Sequence, residues 1–298
     1  MNPKTIIRID NAPPRHWVGD GFHVHSMFSY NTDADLYSPF LMLDYGAPYY
    51  FAANSGQPRG VGSHPHRGFE TVTIAYQGAV AHRDSSGGGG IIGEGGVQWM
   101  TAGSGLVHDE FHEDTFSKTG GDMHMVQLWV NLPAKDKMTR PGYQAIAKTD
   151  IPEITMDAGS VRVIAGKPHG LGDSANATIG AATTFTPMNV WDVHIKAGHT
   201  MNLPQPEGWT TLVLVQQGKV SVNGGVEAGA AQLAMLSRSG TEVSIAASED
   251  AQVLLLAGEP INEPVFGYGP FVMNTQAEIV QAFNDFNAGK FGQINPTR

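Results

Sequence analysis

The chain has 298 residues, of which 15% are charged, and its formal net charge is −10. This acidic balance argues against direct nucleic-acid binding, which needs a basic stripe, and against adsorption to a membrane surface. The absence of cysteine excludes disulfides, thiolate nucleophiles and thiolate metal sites. No apolar run has the length of a signal peptide or a spanning helix, so we expect a soluble cytoplasmic protein.

The composition favours β-structure. The 37 glycines and 18 prolines predict many turns and short strands, as in barrels or sandwiches. In chain order, the first strands are predicted at residues 4–10, 22–30 and 39–45. His23 and His25 lie in the second of these, and we interpret them as polar residues on one strand face rather than ligands.

The stretch from residue 60 to 110 carries the chemistry. Residues two apart in a strand point to the same face, so His64 and His66 share one direction, as do His108 and Glu110. Two such pairs on facing strands would bring three imidazoles and one carboxylate to a point, which predicts a metal site. Glu70 is a competing carboxylate, because it shares parity with His64 and His66 on a continuous strand.

The remaining features of this half are interpreted as structural. His82, His112 and His124 do not keep the ligand spacing, and we expect structural or solvent-facing roles for them. The glycine-rich run at 85–90 lacks the Gly-Lys-Ser/Thr of a phosphate loop, so it predicts a flexible hairpin loop.

The second half repeats the plan of the first. A strand, a Gln-Gly turn and a further strand occur at 73–80 and again at 212–222. Where the first half has its His-x-His before the turn, the second has prolines and a glutamine at 202–208. The repeat therefore predicts a second barrel that has no metal ligands there.

A helix is predicted near the end of the chain. Thr275 followed by Glu278 is a capping box, and Gly289 ends the helix. An apolar stripe follows helical spacing and predicts packing against a barrel. Its members are Ile279, Ala282, Phe283 and Phe286.

The motif His-Pro-His-Arg-Gly-Phe-Glu-Thr-Val from His64, together with Gln98–Gly103, resembles the pirin family of the cupin superfamily. The resemblance implies an all-β fold of two tandem cupin (jelly-roll) barrels with a short C-terminal helix. The predicted domains are a metal-binding barrel at 1–133, a linker at 134–145 and a metal-free barrel with the helix at 146–298.

The same resemblance implies the ligands and the chemistry. One divalent ion, Fe(II) or otherwise Mn, Ni, Cu, Zn or Co, is expected on four residues, and the ligand types alone do not choose among these metals. The expected ligands are His64, His66, His108 and Glu110. Pirin-type chemistry implies a dioxygenase that opens flavonols such as quercetin, with dioxygen as co-substrate, Glu110 as general base and carbon monoxide released.

Two alternatives stay open from the sequence. Pirins also act as non-enzymatic redox-sensing regulators that bind a protein partner, and cupins include metal-dependent sugar isomerases. Both alternatives use the same kind of metal site as an oxygenase, so the ligand pattern does not separate them.

Overall fold

The computed structural model describes residues 2–171 and 178–294. Residues 1, 172–177 and 295–298, which fall within the predicted domains 1–133 and 146–298, lie outside the described residues. The strands, in chain order, are β1 Ile6–Asn11, β2 His16–Val18, β3 Phe22–Ser29, β4 Phe40–Phe51, β5 Gly60–His66, β6 Phe69–Gln77, β7 Val80–Asp84, β8 Gly89–Ile92, β9 Val97–Thr101, β10 Leu106–His112, β11 Gly121–Asn131, β12 Gly142–Ile146, β13 Glu153–Met156, β14 Gly159–Ala165, β15 Met188–Ile195, β16 Thr200–Asn202, β17 Thr210–Gln217, β18 Lys219–Val222, β19 Glu227–Gly229, β20 Gln232–Leu236, β21 Ser244–Ala247, β22 Ala251–Gly258, β23 Phe266–Tyr268 and β24 Phe271–Met273. The helices of the described residues are α1 Tyr30–Tyr37, α2 Asp114–Thr119 and α3 Gln276–Asn287, with a 3-10 turn at Lys148–Asp150.

Two compact units divide the chain. The first unit comprises Pro13–Lys148 and Ile261–Arg298, and the second comprises Met1–Ala12 and Thr149–Pro260. Both are built from one seven-stranded and one four-stranded sheet. None of the helices in the described part of the chain is long and apolar enough to cross a bilayer.

The two units share one strand plan. In the first, the sheets run β12-β9-β6-β11-β4-β3-β2 and β5-β10-β7-β8. In the second, they run β1-β20-β17-β22-β15-β14-β13 and β16-β21-β18-β19. Every described strand pairing inside these sheets is antiparallel. The prediction of an all-β fold with two barrels and a C-terminal helix is confirmed.

Central strands carry the apolar core of each unit. In β6, Val72 and Ile74 are completely buried, and in β17 the same is true of Val213 and Val215. Burying one such side chain contributes on the order of 2 kcal/mol to the free energy of folding, so the buried valines and isoleucines hold each strand in the interior. These cores fix the positions of the strands that carry the polar site residues.

The compact units differ from the predicted domains at strand β1, at strand β12 and at helix α3. Strand β1 pairs with β20 of the second unit, although the sequence prediction put residues 4–10 in the first domain. Strand β12 begins inside the predicted linker 134–145, ends at Ile146, and pairs with β9 of the first unit. Strand alternation reveals which face of a strand is buried but not which strand is its neighbour, so these exchanges had no signal in the sequence.

Helix α3 begins where the sequence predicts. The Thr275 hydroxyl accepts a hydrogen bond from the backbone N–H of Glu278 at 3.3 Å, and the Glu278 carboxylate accepts one from the backbone N–H of Asn274 at 3.1 Å. Its buried face, with Ile279 and Ala282, packs on Val107. The helix therefore belongs to the first unit, whereas the predicted C-terminal domain included it.

Candidate metal centre

Three histidines meet at the pairing of β5 with β10. His64 lies opposite His108 and His66 lies opposite Leu106, so the three imidazoles are close neighbours across the ladder. One ring nitrogen of each lies within 4.8 Å of those of the others. Among the described residues, these three histidines form the one group of at least three potential ligand side chains that could hold a metal ion.

The orientation of these rings is set by their Nδ1 atoms. His64 Nδ1 donates to the Gly62 carbonyl at 2.8 Å, and His66 Nδ1 donates to the Pro270 carbonyl at 3.3 Å. A ring that donates through Nδ1 has its lone pair on Nε2 when it is neutral. The Nε2 atoms of both residues are thereby left as acceptors for a metal ion.

His108 completes the group. Its Nδ1 is bonded to His82 Nε2 at 2.9 Å, and its own Nε2 is buried with no hydrogen-bond partner in the described part of the protein. A buried polar atom without a partner is costly, and a metal ion would supply that partner. The three-imidazole donor set therefore fits a divalent transition metal.

Burial keeps two of these rings neutral. Desolvation, assisted by the neighbouring His64, lowers the pKa of His66 to about 3. Desolvation and the two other histidines lower the pKa of His108 well below its ordinary value. Neutral imidazole is the form that binds metals, so the site is preset for ligation at neutral pH.

Glu110 is buried and lies two residues beyond His108 on β10. Its carboxylate accepts hydrogen bonds from Thr73 Oγ1 at 3.4 Å and from Gln127 Nε2 at 3.2 Å. It does not belong to the group of ligand atoms within 4.8 Å of one another. The pairing of β5 with β10 is irregular between His108 and Glu110, and ligation by Glu110 stays a prediction.

The competing carboxylate, Glu70, lies on β6 and is completely buried. Thr101 Oγ1 donates to it at 2.7 Å. Burial raises its pKa to about 7, although the hydrogen bond from Thr101 acts in the opposite direction. Glu70 is also outside the three-histidine group, so its position gives it no advantage over Glu110.

The structure also brings His82 to the site, which the sequence interpretation did not anticipate. Besides its contact with His108, its ring stacks on Tyr143 at a centroid distance of 5.0 Å. If His108 binds a metal through Nε2, its Nδ1 carries the proton and donates to His82. The spacing along the sequence gave no signal for this contact, because it depends on the register of β7 and β10, in which His82 lies opposite Glu110.

The other histidines have structural contacts. His112 Nε2 donates to the Gly21 carbonyl at 2.7 Å, and His124 stacks on Tyr76 at 4.7 Å. His23 stacks on Trp17 at 4.5 Å. These contacts agree with the structural roles predicted for these histidines. At the predicted loop 85–90, Asp84 accepts hydrogen bonds from the Ser86 and Gly88 backbone N–H groups, while the last two glycines of the run belong to β8.

The fold and this site define a two-barrel cupin protein with a histidine cluster in one barrel. The Pirin family profile matches residues 21–130, and the profile described as the Pirin C-terminal cupin domain matches residues 190–292. A Pirin-like protein of Caulobacter vibrioides is 42% identical, over 98% of this chain and 100% of its own length. The chain belongs to the pirin family, as the sequence motifs predicted.

Other relatives carry enzyme names. A provisionally named quercetin 2,3-dioxygenase of Pseudomonas aeruginosa is 50% identical over 97% of this chain and 98% of its own length. The crystal structure of a quercetin 2,3-dioxygenase from Acinetobacter baumannii superposes with a TM-score of 0.93 at 54% identity, covering 98% of this chain and 100% of that one. A pirin of Escherichia coli solved with nickel(II) shares the fold, with a TM-score of 0.63 at 22% identity over 85% of this chain and 100% of that one.

Proposed function

We propose that this protein is a metal-dependent dioxygenase that opens flavonols such as quercetin, with Fe(II) as its ion. The observation that carries the proposal is the convergence of three imidazoles whose Nε2 atoms are left as ligands, one of them buried with no hydrogen-bond partner among the described residues. The names of the relatives at 50% and 54% identity support the substrate class. Mn, Ni, Cu, Zn and Co are other ions that the donor set accepts.

Four residues would hold the ion: His64, His66, His108 and Glu110. A divalent ion bound there supplies Lewis-acid chemistry, and iron adds redox chemistry. Three neutral imidazoles and one carboxylate leave a charge of about +1 on a divalent site. That charge favours an anionic substrate, such as a flavonol that has lost a hydroxyl proton.

Glu110 has a second proposed role as general base. Thr73 and Gln127 donate to its carboxylate, and these contacts hold it inside the barrel in a defined orientation. In the bound complex we expect one of its oxygens within about 2.6–3.2 Å of the substrate hydroxyl, so that it accepts the proton. The neighbouring amide of Gln127 cannot take this proton, because a neutral amide is a very weak base.

The test is oxygen uptake together with carbon monoxide release by metal-replete protein supplied with a panel of flavonols. We expect equal amounts of dioxygen consumed and carbon monoxide formed. The Glu110→Gln variant should lose more turnover than metal, because an amide can still coordinate weakly but cannot accept a proton. Glu70→Gln is the matched control, since it changes the other buried glutamate and leaves the proposed base in place.

Absence of turnover with every flavonol, under reducing conditions and with each metal tried, would contradict this proposal. The redox-sensing regulator that binds a protein partner would then be the better interpretation of the same ligand set. The regulator interpretation predicts that oxidation of the bound iron changes the affinity for that partner.

The cytoplasmic location also stays a prediction, to be tested by fractionation of cells that produce the protein.

A further inference from the structure

The second unit contains a cavity of about 840 Å³. It lies at the ends of β14 and β15 and against the segment that precedes β17, and none of the three clustered histidines lines it. Small-molecule sites in proteins commonly measure about 300–1,000 Å³. The cavity is therefore large enough for a ligand of two or three fused or linked rings.

The cavity occupies a place that corresponds to the histidine site of the first unit. His64 and His66 precede the turn glycine Gly78 by fourteen and twelve residues, and Pro204 and Pro206 precede Gly218 by the same intervals. Both prolines line the cavity. The two barrels thus use one position of a shared plan for different surfaces, a metal-ligand cluster in one and an apolar wall in the other.

The backbone supports this correspondence. In the first unit, the segment of His64 and His66 is antiparallel to the start of β10. In the second, the Leu203 and Gln205 N–H groups donate to the Val243 and Thr241 carbonyls at 2.7 and 2.8 Å. The segment before β17 is thereby held in the same antiparallel arrangement, with the cavity beside it.

The lining is mostly apolar, with flat surfaces. Trp209 is partly buried and lies at the position that Phe69 has in the first unit, while Met188 is almost completely buried. Asn189 Nδ2 donates to Gln205 Oε1 at 2.8 Å, so the two buried amides in the wall satisfy each other. Indole and proline rings offer faces on which a planar ring can stack.

The charge of the lining is one-sided. Lys167 is exposed at the cavity, forms no ion pair within the described residues, and is accompanied by His169. None of the described lining residues is acidic, although the chain as a whole carries a net charge of −10. A local cation in an acidic protein selects anions at this place.

From this combination we infer that the second barrel is a separate binding site for a planar aromatic anion, with the rings against Trp209 and the anionic group at Lys167. The site is independent of the metal centre and of the proposed oxygenase activity. It gives the barrel that lacks the histidine cluster a ligand of its own.

Anilinonaphthalene sulfonate, a fluorescent planar aromatic anion, is the probe for this site. It is titrated into metal-loaded full-length protein, and phenylnaphthylamine, which lacks the sulfonate, is titrated in parallel. We expect Trp209→Leu to weaken binding of both probes about ten-fold through loss of stacking. Lys167→Gln should weaken binding of the anionic probe about three-fold to five-fold, because an exposed charge contributes modestly, and should leave binding of the neutral probe unchanged.

Two controls make the outcome decisive. Lys219→Gln removes another exposed lysine of the same unit, one that does not line the cavity, and should leave the binding of both probes unchanged. Ile179→Arg places a bulky side chain at the exposed part of the lining and should reduce binding of the neutral probe, with an unchanged melting temperature showing that the fold is intact. The neutral probe alone is compared for this variant, because the added guanidinium attracts the anionic probe. Probe binding that is unaffected by all cavity variants would overturn the inference, as would a Lys167→Gln effect matched by Lys219→Gln.

Discussion

The two units show how little of the chemistry depends on the barrel plan. Their sheets have the same strand numbers and corresponding strand orders, and both have a strand, a Gln-Gly turn and a strand at matching places. At the positions before that turn, one unit has His64 and His66 and the other has Pro204 and Pro206. A shared scaffold thus carries a ligand cluster in one copy and a cavity wall in the other, because a few side chains at one place decide the site.

The largest expected effect comes from removing a histidine of the cluster. His108→Ala should strongly reduce the metal that the protein retains after dialysis, because it removes one of the four proposed ligands, the one whose buried Nε2 has no other partner in the described part of the chain. His199→Ala, an exposed histidine of the second unit, is the matched control and should keep its ion. Mass spectrometry measures the metal content of both variants. Full metal content in the His108→Ala protein would contradict the assignment of the metal site to the histidine cluster of the first unit.

A second difference between the barrels lies eight residues before each turn glycine, where the first unit has Glu70 and the second has Thr210. The folded pKa of Glu70 is raised from about 4.5 to about 7 by burial. The folded state therefore binds the proton more tightly, so its contribution to stability is complete below pH 4.5 and is lost as the pH rises through 7.

Glu70→Gln should remove this dependence, because a neutral amide does not titrate. The variant should match the parent near pH 4.5 and exceed it in free energy of unfolding at pH 8, by up to about 3 kcal/mol. Urea unfolding at the two pH values gives the comparison, with the exposed Glu227→Gln as control. A stability difference that is the same at both pH values would show that ionisation of Glu70 is not its cause.

The choice of carboxylate extends the comparison of the two units, because the described residues of the second unit contain no histidine cluster that a glutamate could join. Glu110→Ala should weaken metal binding about ten-fold or more, whereas Glu70→Ala should affect mainly stability. Affinity measured by competition with a chelator separates the two effects. If Glu70→Ala empties the site while Glu110→Ala leaves it filled, Glu70 is the fourth ligand.

The smallest expected effect concerns His82, which contacts the cluster without belonging to it. His82→Phe keeps a ring that can stack on Tyr143 but removes the hydrogen bond to His108, so metal affinity should fall about ten-fold. His82→Gln should restore part of that affinity, because its amide oxygen can accept from His108 Nδ1. Equal affinities for the two variants would show that His82 only fills space.

Much of this protein could be predicted from short-range patterns. Alternating apolar residues predict the strands, since successive side chains point to opposite faces. The same rule put His64 and His66 on one strand face, and the family resemblance added His108, with which the structure shows them to meet. The Thr275–Glu278 capping box predicted the start of α3. These features depend on residues a few positions apart or on one simple periodicity, and the family resemblance supplied the rest of the plan.

Tertiary structure alone decided which distant segments meet. Strand β1 joins the second unit, α3 joins the first, and the Pro270 carbonyl reaches His66 across more than two hundred residues. The contact between His82 and His108 and the cavity beside Trp209 arise in the same way. The periodicity of a sequence indicates which face of a strand or helix is buried, but not which segment packs against that face, because pairing and packing partners are selected by the whole fold.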